Sequence, residues 1–151
     1  MSSAGFAPPA LDPTDRASYH DWVEDVLRYG DVDRQNHVNN VVFASFFENG
    51  RVHFLDTVVR PLIEPTDLFA LVKITVEFRH EMHHPGTAAV GTRLARLGRS
   101  SVAFAQGLFN EGRCVAIAES IVVLMDGENR KSKPWPDEAA VVLQRLADGA
   151  A

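Results

Sequence analysis

Apolar positions change their period along the chain, and the changes outline its elements. Trp22 to Tyr29 roughly alternate, with Trp22, Glu24, Val26 and Arg28 against Val23, Leu27 and Tyr29, which predicts a strand. The polar run Gly30-Asp31-Val32-Asp33-Arg34-Gln35-Asn36-His37 breaks that pattern and predicts a loop. From Val41 to Val59 the period becomes helical: Phe43, Phe47, Phe54 and Val58 form one stripe, and Val41, Ala44, Val52, Leu55 and Val59 its neighbour. The third face carries Val42 and Phe46 early, then Asn49, His53 and Asp56. The first half is therefore apolar almost all round and must be enclosed by other structure. Such a helix is a rod of roughly 28 Å, capped by Asn39 or Asn40 and stopped by Pro61. Gly50 inside it costs about 1 kcal/mol against alanine and predicts close approach to a neighbour.

The remainder reads as strands over Phe69–Arg79, Ala88–Leu97, Val102–Phe109 and Cys114–Met125, followed by a short amphipathic helix over Asp137–Leu146. In the first of these, Leu71, Lys73, Thr75 and Glu77 stand opposite Val72, Ile74, Val76 and Phe78. Turn signals such as Asn110-Glu111-Gly112 connect neighbours as hairpins, which makes the sheet antiparallel. An antiparallel sheet curling around one enclosed helix, an α+β architecture, satisfies both patterns. Met1 to Ser18, with Pro8, Pro9 and Pro13 and no apolar period, predicts a loose arm before a single domain at 19–151.

Composition narrows the classes. The chain has 151 residues, 46% hydrophobic and 23% charged, an ordinary balance for one domain. Its formal net charge of −5 argues against nucleic acid and anionic membranes as partners. No apolar run is long enough to span a bilayer, and the single cysteine, Cys114, excludes an internal disulfide. A soluble, cytoplasmic protein is the expectation.

Chemistry concentrates in the loop before the long helix. Two carboxylates, a histidine and several amides crowd Asp31 to Asn40. The first N–H groups of a helix lack partners and carry the positive end of its dipole. Such donors can hold a carbonyl oxygen that becomes an oxyanion, while a nearby carboxylate serves as base or nucleophile. The same residues can also do no more than cap the helix and close the turn. Spacing alone leaves both readings open.

The loop with Val41-Val42-Phe43-Ala44-Ser45-Phe46-Phe47-Glu48-Asn49-Gly50-Arg51 resembles the hotdog-fold acyl-CoA thioesterases of the 4-hydroxybenzoyl-CoA thioesterase family. That family's pattern is an acid-x-Asp loop, often His-Val-Asn-Asn, then a helix with a Phe-Glu-x-x-Arg-like element. The likeness covers Trp22 to Met125 in element order and is specific over Arg28 to Phe54. It implies a hotdog fold and hydrolysis of an acyl-CoA thioester to free acid and coenzyme A. It implies no cofactor or metal, and a homodimer or homotetramer with sites at the subunit interface. In this chain the catalytic acid would be Asp33, acting on water or directly on the carbonyl. Backbone amides of Val38, Asn39 and Asn40 would polarise the thioester, and His37 with Asn39 or Asn40 would hold the loop and line the site. One departure is Arg34-Gln35-Asn36, where many aromatic-substrate members carry a glycine-containing sequence. Gln35 stands two residues after the acid, where related plant acyl-carrier-protein thioesterases carry an active-site Asn. Other readings are a non-catalytic acyl-CoA-binding module and an acyl-carrier-protein thioesterase; the negative charge disfavours an acidic carrier.

Other residues carry two readings each. Asp31 is the competing acid, or ends the strand in a turn hydrogen bond. Glu48 is an i,i+3 ion-pair partner of Arg51, or a second active-site carboxylate. Phe43 and Phe47 are core, or also line an acyl pocket. Arg130, Lys131 and Lys133 form a local basic cluster that is a solvated tail, or meets coenzyme A phosphates. His80, His83 and His84 with Glu81 read as a solvated turn lacking metal-ligand spacing. Cys114 reads as a buried, inert thiol.

Overall fold

The computed structural model describes residues 11–149. Five strands form one antiparallel sheet: β1 (Asp21–Val26), β2 (Leu68–Phe78), β3 (Thr87–Leu97), β4 (Ser101–Asn110) and β5 (Arg113–Met125). Their spatial order is β1-β3-β4-β5-β2, so β1 and β2 are the two edges. The long helix α1 (Asn40–Phe54) lies across one face, and α2 (Asp137–Ala147) closes the far end. This is the α+β sheet around a helix that the periodicity implies and the hotdog fold that the resemblance implies.

The ends of α1 follow its sequence. Asn39 is the cap, its side chain accepting the Val41 N–H at 3.1 Å. The helix continues past Phe54 in a wider turn over Leu55–Val59, then tightens over Arg60–Leu62 around Pro61. Phe43, Phe46, Phe47, Phe54 and Leu55 are buried, as an enclosed rod requires. Gly50 answers for its cost: a Cβ there would meet Val90 Cγ1 at 2.7 Å and Gln106 Nε2 at 2.8 Å, so the sheet touches the helix backbone. Gly112 and Glu111 take φ of 77° and 52° in the β4–β5 turn, the left-handed pair that a tight hairpin needs.

Three expectations shift. The first strand ends at Val26 rather than Tyr29, because Leu27 N–H bonds to the Gly86 carbonyl and Tyr29–Asp31 form a 3-10 turn. Residues 1–10 of the expected arm lie outside the described residues. The following stretch folds onto the sheet: Tyr19 OH donates to the Pro13 carbonyl at 2.6 Å, and Arg16 sits 4.3 Å over the Trp22 ring. The alternation expected in β2 shifts phase at a bulge between Leu71 and Lys73. Phe69 and Leu71 pair with Leu124 and Val122, while Ile74, Val76 and Phe78 pair with Ser120, Ala118 and Ala116. Since paired residues share a face, these five apolar side chains of β2 all stand on the helix side of the sheet.

Candidate active site at the start of the long helix

The loop entering α1 is a small hairpin. Val32 bridges Val38, Asp33 N–H donates to the His37 carbonyl at 3.0 Å, and Asn36 N–H to the Asp33 carbonyl at 3.0 Å. Asn36 takes a φ of 65°, which asparagine tolerates better than most residues. Its two carboxylates differ. Asp31 is buried, its oxygens accepting from the Arg28 backbone N–H at 2.8 Å and the Arg28 guanidinium at 3.0 Å. Asp33 is half-buried; Oδ1 accepts the Gln35 N–H at 2.8 Å, and Oδ2 lies 3.9 Å from His37 Nδ1. The other ring nitrogen of His37 is 3.9 Å from Glu81 Oε1, and the second oxygen of Glu81 is 3.5 Å from His83 Nε2. His83 Nδ1 in turn lies 3.1 Å from the Asn36 carbonyl oxygen. Asp33, His37, Glu81 and His83 thus form one polar cluster beside the helix start.

The helix amides are not equivalent. Val38 N–H donates to the Met82 carbonyl at 2.8 Å and Asn39 N–H to the Asp31 carbonyl at 2.9 Å. Val41 N–H is taken by the Asn39 side chain. Of the amides expected to polarise a thioester, only that of Asn40 has no acceptor among the described residues. Asn40 borders a cavity of about 220 Å³, with His37, Val38, Phe43, Phe78 and Arg79. Asp33 stands behind His37 rather than on the cavity wall.

Other expected site residues scatter. Phe43 meets the cavity and packs 5.3 Å from the Phe78 ring, but Phe47 is fully buried in the core and is not on that cavity's wall. Gln35 is exposed and reaches Asp33 through its backbone. Glu48 forms no ion pair with Arg51; it is exposed, whereas Arg51 is buried and points Nη1 at Gln106 Oε1, 3.4 Å away. Burial holds the Arg51 pKa below the ordinary guanidinium range, against the opposing pull of Glu48. Both border a second cavity of about 310 Å³ between α1 and β2. Arg130 and Lys131 do not reach the Asp33 site within one chain. Their turn follows Met125, opposite Leu68, while the cavity holds Phe78, at the other end of an 11-residue strand that spans about 35 Å. Lys133 is engaged elsewhere, 2.6 Å from Asp67.

Among the described residues, no three His, Cys, Asp or Glu side chains are grouped to hold a metal, and no helix is long and apolar enough to cross a membrane. Cys114 is buried, and burial pushes its thiol pKa up. Two residues of the site escaped the sequence: Glu81, which belongs with His37 rather than with a metal set, and Arg79 on the cavity wall. The Glu81–His37 contact leaves no periodic signal, because it joins the β2–β3 connection to a distant loop; Arg79 pairs locally with Glu77 at 2.9 Å.

A five-stranded antiparallel sheet wrapped around a long helix, with a carboxylate and a histidine in the loop that enters it, is a hotdog protein. The sequence pattern of the thioesterase-like superfamily matches residues 27–146, and the chain belongs to that superfamily. No curated protein matches the chain. Among solved structures, the PA5185 protein of Pseudomonas aeruginosa PAO1 is 26% identical, with a TM-score of 0.75 over 90% of this chain and 97% of that one. The probable thioesterase YbaW of Escherichia coli is 22% identical, with a TM-score of 0.73 over 85% and 99%. A Thermus thermophilus thioesterase complexed with coenzyme A and Zn is 22% identical, with a TM-score of 0.72 over 83% and 98%. Thioester hydrolysis is the chemistry this membership supports.

Proposed function

We propose that the chain hydrolyses acyl-CoA thioesters to free acid and coenzyme A, with Asp33 as the catalytic acid residue. The observation that carries this is the unequal filling of Asp33: one oxygen is fixed by Gln35 N–H, and the other faces His37 at the cavity rim. In the base route, a water oxygen bonds to the acyl carbon as Asp33 takes its proton. The carbon–sulfur bond then breaks and the sulfur leaves as a thiol with that proton. In the nucleophile route, the Asp33 carboxylate bonds to the acyl carbon and the carbon–sulfur bond breaks, the sulfur leaving as thiolate; water then cleaves the mixed anhydride, which restores the Asp33 carboxylate, frees the acid and supplies the proton that the thiolate takes up. Either route places negative charge on the carbonyl oxygen, which the open Asn40 N–H at the positive end of α1 would stabilise. His37, between the Asp33 and Glu81 carboxylates, positions the loop.

The same reading needs a second copy. β2 is an edge strand whose Leu71, Val72, Ile74 and Phe78 are 47%, 60%, 37% and 49% exposed, an apolar edge that a lone subunit leaves uncovered. Antiparallel pairing of two β2 edges about a two-fold axis would cover it. It would also bring the partner's Arg130 and Lys131 toward this subunit's Phe78 end, where coenzyme A phosphates would meet them.

The test is a thiol-release screen across acyl-CoA esters, run beside Asp33→Asn and with sedimentation of the wild-type protein. Release by the wild type, lost in a folded Asp33→Asn, is expected, as is a dimer or larger at micromolar concentration. A fully active Asp33→Asn would remove Asp33 from the reaction.

A further inference from the structure

The second cavity and the candidate active site lie at opposite ends of one row of β2 side chains, Phe78, Val76, Ile74, Leu71 and Phe69, which the bulge puts on the helix side. Phe78 borders the first cavity, and Phe69 and Leu71 border the second. From Asn40 to Arg51 the helix rises about 16 Å. That is the reach of an extended acyl chain of roughly a dozen carbons, with bonds of about 1.5 Å advancing about 1.25 Å each.

At the second cavity stands a cation that no carboxylate among the described residues contacts, Glu48 acting on it only from a distance. Arg51 is 5% exposed, and its one hydrogen bond among the described residues is the 3.4 Å contact to Gln106. Gln106 is itself engaged, its amide donating to the Phe47 carbonyl and Thr92 Oγ1, both at 2.9 Å. No carboxylate among the described residues pairs with Arg51, and a guanidinium carries five N–H donors. Ser120 Oγ, two residues from cavity-lining Val122 on the same face of β5, is also buried without a partner. An unpaired buried charge is costly, and its cost is relieved by a ligand that brings the opposite charge in planar, two-oxygen form.

We infer that Arg51 binds a carboxylate at the far end of the acyl chain, so that the preferred substrates are coenzyme A monothioesters of long dicarboxylic acids. This rests on the thioesterase reading above. Glu48 and Asp56 also border the cavity, but both are exposed at its rim, where water and salt screen them. Arg60, the other cation there, already donates to the Asp67 carbonyl at 2.8 Å. The free charge that a dehydrated anion meets is therefore that of Arg51.

The experiment uses oxygen esters in place of the thioesters, so that it does not depend on turnover. In titration calorimetry the wild-type protein should bind monomethyl dodecanedioate, whose far end is a carboxylate, at least about tenfold more tightly than methyl dodecanoate, whose far end is a methyl group, a difference of about 1.4 kcal/mol. Arg51→Met should remove that preference by weakening the carboxylate-ended ester alone. Leu71→Trp, which fills the cavity from its rim and leaves Arg51 in place, should remove it as well and serves if Arg51→Met does not fold. Equal wild-type affinities, or a preference that survives both variants, overturn the inference. A protein that shows the preference but hydrolyses no thioester loses the catalytic reading and keeps this site. One that hydrolyses butyryl-CoA and shows no preference does the reverse.

Discussion

Asp31 and Asp33 stand two residues apart in one loop and carry the same side chain, yet the fold uses them in opposite ways. Asp31 is 2% exposed, and each of its oxygens accepts a donor from Arg28. Asp33 has a single backbone donor and leaves its second oxygen facing a histidine 3.9 Å away. A carboxylate whose oxygens are filled by protein donors locks a corner and is closed to reagents. One with an open oxygen can take a proton or attack. The same contrast separates Asp67 from Arg51. Asp67 is buried but answered by Lys133 at 2.6 Å and by the Glu64 N–H at 3.1 Å, while Arg51 is buried with one long contact and a cavity beside it. Incomplete pairing, more than charge or burial, distinguishes the groups available for chemistry.

The sharpest way to break this comparison is to exchange the two acids for neutral groups. Asp33→Asn should lower kcat in thiol release by about 10²–10⁴-fold, the range for losing a positioned base. Its urea unfolding free energy should stay within about 0.5 kcal/mol of wild type. Asp31→Ala should do the opposite. It leaves the part-buried Arg28 N–H without its acceptor and should cost about 1–2 kcal/mol in urea unfolding, with kcat of the folded fraction reduced less than about tenfold. If Asp31→Ala keeps its stability and loses turnover, the roles of the two acids are reversed.

This division was only half visible in the sequence. The helix, the strands and the hairpins follow from period and turn chemistry, which are local. Gly50 could be read as a close approach because a mid-helix glycine needs a reason, and the contacts with Val90 and Gln106 supply it. Asp31 as a turn acid was likewise legible from its position. The bulge in β2 was not, because an extra residue is fixed by pairing with β5 and leaves the composition of the strand unchanged. Nor could the sequence tell which helix amide stays open, since that depends on where the Met82 carbonyl arrives. Arg51 looked like a partner for Glu48, three residues back, and instead faces Gln106, 55 residues away. Arg130 and Lys131 were grouped with the site by charge alone, and strand length separates them from it.

A smaller effect probes the wall against which Arg51 rests. Gly50→Ala would gain up to about 1 kcal/mol in helix propensity. Its new methyl would press on Val90 and Gln106 at 2.7–2.8 Å, inside contact distance, and overpacking of this kind costs about 1–3 kcal/mol. A net loss of about 1 kcal/mol is expected in urea unfolding. Stabilisation would mean that helix and sheet are less tightly apposed than the Arg51–Gln106 contact requires.

The smallest effect concerns the answered pair, Lys133 and Asp67. The hydrogen bond to Asp67 raises the Lys133 pKa above its ordinary value, with burial opposing weakly. A lysine whose folded pKa is raised contributes its full stabilisation while both states are protonated, below about pH 10. It loses that contribution as pH climbs through the unfolded and then the folded value. The Cys114 thiol and the Tyr19 hydroxyl, both raised by burial, also weaken the fold in alkali, so the wild-type slope alone is not diagnostic. The difference between wild type and Lys133→Met isolates the pair. It should be constant from about pH 7 to 9 and shrink above about pH 10. A difference that grows with pH would mean that Lys133 is neutral in the fold, and Asp67 would then join Arg51 as a buried charge left unanswered.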